Sequence, residues 1–142
     1  MSKLNIKLLQ RIKAHILEEP KRYEQATYGA KLLPEEGGPA CGTVACLAGW
    51  AVVLSGKRLL DKDGSCRIDV DTLAYKLTGL GPKGFMADKY YEKFGSVFGT
   101  GGGWPKRFAT RLEKAKTPKG RARVAADYID FMIQADKKES TK

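Results

Sequence analysis

The side chains with the most readily recruited chemistry are Cys41, Cys46, Cys66 and His15, which could serve as thiolate, base or zinc ligands. Structural zinc sites usually draw on C-x(2–4)-C pairs. Cys46 falls inside an apolar run with helical character, which turns it toward a core, so it reads as a small buried hydrophobe rather than a ligand. Cys41 precedes a predicted helix start, where the backbone dipole lowers a thiol pKa. A cysteine nucleophile also needs a base, and His15 is the chain's one histidine. An enzyme centred on Cys41 is therefore the least favoured reading. No catalytic residue, metal or cofactor is assigned.

Two other motifs fail on their own requirements. A calcium loop built on Asp63-Gly64 needs an acid where Leu59 stands and a glutamate where Val70 stands. The glycine run Gly99-Thr100-Gly101-Gly102-Gly103 lacks the Lys-Ser/Thr step of a phosphate loop. It reads as a flexible loop that could order on binding.

What remains is charge. The net charge is +10, and it is uneven: residues 1–56 carry +2 and residues 57–142 carry +8. The window Trp104 to Arg123 holds eight basic residues against one acid. Those eight, Lys106, Arg107, Arg111, Lys114, Lys116, Lys119, Arg121 and Arg123, are the candidate contacts to a partner or to nucleic acid. Cations in the first turns of a helix oppose its dipole, and no acid stands beside Lys119, Arg121 and Arg123 to offset them.

The elements that must position these residues follow from periodicity. Leu8, Leu9, Ile12 and Ile16 share one face of a first helix running to Glu19, which Pro20 stops. His15 lies next to that face and reads as a packed, hydrogen-bonded side chain. The uncharged run from Cys41 to Gly56 predicts a buried central helix over residues 43–55. Thr43 would be its N-cap and Gly56 its left-handed stop. Asp63-Gly64 between two short runs predicts a small β-hairpin over residues 58–68. Asp69 to Thr72 opens a helix in which Leu73, Ala74 and Leu77 face inward, and Gly79 closes it with Leu80 folding back. An aromatic stretch follows, from Lys83 to Phe98. Trp104-Pro105 and Thr117-Pro118 open the last two helices, and Lys137 to Lys142 reads as a frayed polar tail. The expected fold is mainly α: a compact helical bundle forming a single domain over residues 1–136.

The run from Cys41 to Trp50, C-G-T-x-x-C-L-A-G-W, resembles a family of small bacterial and phage proteins. Members also tend to carry a leading helix, an L-x-G-L segment, an aromatic stretch and a W-P step. Here these are Leu77-Thr78-Gly79-Leu80, Tyr90 to Phe98, and Trp104-Pro105. The resemblance covers most of the chain. It implies a bacterial or phage origin and a compact helical domain, and it supplies no catalytic residues.

Residues 1–7 lack the apolar core of a secretory signal, and no run is long enough to cross a bilayer. Three cysteines give no disulfide framework, so a cytoplasmic setting is expected. The functional expectation is a non-enzymatic protein that binds a host protein or nucleoprotein complex through its basic face. It would act as an inhibitor or modulator, with an anti-defence role of the anti-CRISPR kind within this class. Direct binding of nucleic-acid backbone, without base reading, is the alternative.

Overall fold

Asn5 starts the first helix, α1 (Ile6–Glu18), by accepting a hydrogen bond from the Leu8 N–H at 3.1 Å. The structure, a computed structural model, describes residues 4–23, 30–31, 43–44, 46–58, 70–81, 88–95, 97–98 and 103–140. Leu8, Leu9, Ile12 and Ile16 are all buried, as the i, i+3, i+4 spacing requires. The helix stops one residue before Glu19, and a 3-10 turn, Pro20–Arg22, follows.

Thr43 and Val44 are not helical. They form strand β2 (Thr43–Val44), which pairs antiparallel with β1 (Ala30–Lys31), Ala30 opposite Val44 and Lys31 opposite Thr43. Two successive β-branched residues favour extended backbone, and here they find a strand partner. The next helix, α2, therefore spans Leu47–Leu54 rather than residues 43–55, with Cys46 at its N-cap in extended conformation. Leu47 to Val52 are buried on every side. The Trp50 indole N–H donates to the Arg22 carbonyl at 3.0 Å, so the ring buries its area without orphaning its polar edge. At the far end Gly56, at φ 82°, closes a Schellman motif. Its N–H donates to the Val53 carbonyl and that of Lys57 to the Val52 carbonyl. Arg11 reaches across from α1 to donate to the Leu54 carbonyl at 2.7 Å, placing a cation at the negative end of α2.

The same closing device recurs after α3 (Val70–Thr78). Gly79 has φ 80°, and the Leu80 N–H donates to the Tyr75 carbonyl at 3.0 Å while the Leu80 side chain is fully buried. α3 is sewn to α1 by Asn5, whose backbone N–H reaches Thr78 and whose side chain reaches the Leu77 carbonyl. The hairpin expected over residues 58–68 lies, apart from residue 58, outside the described residues. The aromatic segment expected from Lys83 is described from α4 (Asp88–Phe94) onward.

α5 (Lys106–Lys114) and α6 (Pro118–Ser140) complete the bundle. Pro105 occupies the N-cap of α5 rather than its first turn. Thr117 caps α6, accepting from the Gly120 N–H at 3.0 Å, and Pro118 is the first helical residue. α6 runs 23 residues, about 35 Å at 1.5 Å per residue. It does not fray at Lys137 but continues to Ser140, where Lys137 and Lys138 complement the negative helix end. The chain is mainly helical and compact, with α6 as its spine. α1 and the 3-10 turn lie along it on one side and α5 on another. Phe94 of α4 meets Phe131 edge-on at 5.8 Å.

The connection between α4 and α5 brings two backbone segments into close approach. Gly95 has φ 70°, and a Cβ there would collide with the Gly103 carbonyl oxygen. Gly56 shares the left-handed backbone but faces open space. Gly95→Ala should therefore destabilise by about 2 kcal/mol or more, and Gly56→Ala by only about 1 kcal/mol. Urea unfolding of the two variants tests this, and equal losses would show that the crossing is not tight.

Candidate basic binding face

α5 presents its apolar stripe inward through Phe108, with Leu112 and Ala115 half-buried, so its remaining positions must face water. Lys106, Arg107, Arg111 and Lys114 are exposed along it, and Lys116, Lys119 and Arg123 are exposed beyond it. Seven of the eight basic candidates thus lie at the surface, while Arg121 is half-buried.

The structure divides the eight by what holds them. Arg111 of α5 donates to Asp127 of α6 at 2.7 Å, and Arg123 approaches the other oxygen of the same carboxylate at 3.3 Å. Asp127 thus bridges the two helices and offsets the cations near the α6 start, which the sequence left without a balancing acid. Arg121 turns inward and donates to the Ala115 carbonyl at 3.3 Å, serving the C-terminal end of α5. Arg107 pairs with no acid among the described residues. Its guanidinium lies over Phe108 at 4.6 Å and Phe131 at 4.7 Å. Lys106, Lys114, Lys116 and Lys119 have no acidic partner among the described residues.

Two kinds of concavity adjoin this face. One hollow of about 420 Å³ lies between residues 18–22 and residues 117–119. It shares Pro20, Thr117 and Lys119 with a second, of about 400 Å³, that extends to Arg123. A shallower groove of about 350 Å³ separates α5 from α6, between Arg107, Arg111 and Phe108 on one side and Asp127, Phe131 and Gln134 on the other.

The cysteine and histidine candidates separate in the structure. Cys46 is buried at the start of α2, as a core residue, while Cys41 and Cys66 lie outside the described residues. Among the described residues no three His, Cys, Asp or Glu side chains group to hold a metal. The glycine run over residues 99–103 is described only at its last residue. His15 packs on Trp50, ring centroids 4.3 Å apart, with the Arg22 guanidinium also over that indole, 4.8 Å from the ring centroid. Its Nδ1 stands 4.0 Å from Glu19, and its buried Nε2 has no hydrogen-bond partner among the described residues. Sequence reasoning missed this cluster because His15, Glu19, Arg22 and Trp50 come from three separate elements.

Compared with known proteins, the chain matches no family model, no curated protein and no solved structure. No helix among the described residues is long and apolar enough to cross a membrane.

Burial, reinforced by the Arg22 charge, lowers the His15 pKa below its ordinary 6.5, against the opposing pull of Glu19 and Glu18. The fold therefore prefers the neutral ring. Its contribution is complete above pH 6.5 and is lost as pH falls below that value toward the folded-state pKa. Thermal unfolding should show stability declining as the pH is lowered below about 6.5. His15→Phe, which keeps a ring against Trp50, should flatten that decline; parallel curves for the two proteins would refute the assignment.

Proposed function

We propose that this chain is a non-enzymatic binding protein of bacterial or phage origin. Its α5–α6 basic face docks on an anionic surface of a host macromolecule, which it inhibits or modulates in the cytoplasm. The carrying observation is the set of exposed lysines, Lys106, Lys114, Lys116 and Lys119, without acidic partners among the described residues. They stand beside arginines that the fold already holds in place. A surface kept only for solubility gains nothing from fixed arginines, whereas a docking face gains pre-organisation.

The motif from Cys41 to Trp50 supports the phage or bacterial origin, and small proteins of mobile elements often act by blocking one host complex. A defence complex that holds nucleic acid offers the acidic surface this face requires.

Co-purification from a bacterial host at low salt, followed by a salt wash, tests the proposal. The wild-type protein should retain a stoichiometric host protein or nucleoprotein. Replacing Lys106, Lys114, Lys116 and Lys119 with glutamine should weaken retention at least about tenfold, since four contacts at ~0.5 kcal/mol each amount to about 2 kcal/mol. Bare nucleic acid released with a steep salt dependence would instead make the chain a direct backbone binder. Protein that carries neither would remove the proposal.

A further inference from the structure

The groove between α5 and α6 differs from the rest of the basic face. None of the unpaired lysines lines it. Its walls carry Arg107 and Arg111 on one side and the carboxylates Asp127 and Asp130 on the other. Both carboxylates are already engaged, Asp127 by Arg111 and Arg123, and Asp130 by Lys13 at 2.8 Å. Arg107 is the exception. It is exposed, its guanidinium carbon lies over both rings, 4.6 Å from the Phe108 centroid and 4.7 Å from that of Phe131, and it pairs with no acid among the described residues.

Stacking uses the face of a guanidinium and leaves its N–H donors unspent around the edge. The Arg107 side chain is thus held over the two rings before any partner arrives, which spares part of the ordering cost of a long side chain. A planar carboxylate matches that fork in a two-point pair. Phe131 is half-buried and offers an apolar surface directly beside it. Gln134 is exposed on the same wall, with an amide able to donate to and accept from an extended backbone.

We propose that this groove seats an acidic segment of a partner protein, with a carboxylate side chain pairing to Arg107 and an apolar neighbour resting on Phe131. This rests on the reading of the α5–α6 face as a docking surface and names the chemistry of its partner. A nucleic-acid backbone fits the groove poorly. It carries a charge on every unit, and so brings more negative charge past Asp127 and Asp130 than a segment whose carboxylates are separated by apolar side chains. A segment alternating acidic and apolar side chains meets both halves of the groove at once.

Fluorescence anisotropy with a labelled peptide of about eight alternating Glu and Leu residues tests this, beside a single-stranded oligonucleotide of equal charge. The wild-type protein should bind the peptide. Arg107→Gln should weaken it by about tenfold or more, and Arg107→Lys should restore only part of the loss, because an ammonium lacks the fork. Gln134→Ala should weaken it severalfold, and the pair Lys7→Gln with Lys57→Gln, exposed and outside the basic face, should change it little. Circular dichroism of each variant verifies that the helices persist. Peptide binding that ignores Arg107 would overturn the proposal. Oligonucleotide binding that follows Lys116 and Lys119, with the peptide unbound, would overturn the groove while leaving the basic face standing. Failure of both probes to bind would overturn the groove and count against the face as well.

Discussion

Burying a phenol is unfavourable unless its hydroxyl finds an acceptor, and the bundle is arranged so that Tyr128 finds one. Tyr128 sits in the middle of α6 and is fully buried. Its hydroxyl donates to the Phe94 carbonyl at the end of α4. Its ring meets Trp104 at 4.4 Å and Phe108 at 5.2 Å. One side chain thereby fixes the end of α4, the entry to α5 and the spine of the fold. Burial, with a smaller push from Tyr75, holds the hydroxyl protonated far above the ordinary phenol range, so the donor persists at any working pH.

The basic face depends on this cluster. Phe108 faces inward because Tyr128 and Phe131 receive it, and that choice turns Arg107, Arg111 and Lys114 outward. α6 then supplies the counter-charges that set each arginine's posture. Asp127 draws Arg111 and Arg123 together, and Asp130 is occupied by Lys13 from α1. The acids of α6 hold the scaffold, while much of the excess positive charge stays uncommitted at the surface.

Local signals in the sequence were legible and distant ones were not. Gly56, Gly79 and Thr117 act within a few residues of themselves, so their capping roles could be read directly. Thr43 forms a strand instead of a cap because a β-branched hydroxyl residue suits both, and its strand partner, Lys31, lies twelve positions earlier in the chain. Arg123 and Asp127 are spaced for an i, i+4 pair and could have been found. The reach of Arg111 to Asp127 and the posture of Arg107 over Phe131 depend on how α5 crosses α6, which no local pattern encodes. Arg121 looked like a surface cation because its inward turn is set by the end of the preceding helix.

The close approach of Gly95 to Gly103 also bears on how the chain tolerates change. With those backbones in contact, and the Trp104 indole bonded to the Val97 carbonyl at 2.9 Å, the two ends of the α4–α5 connection are fastened together independently of what lies between them. The entropy of closing such a loop grows only slowly with its length, by about 0.6 kcal/mol for each doubling. The placement of α5 against α4 is consequently set by residues 95, 97, 103 and 104 themselves, and not by the number of residues that join positions 98 and 103.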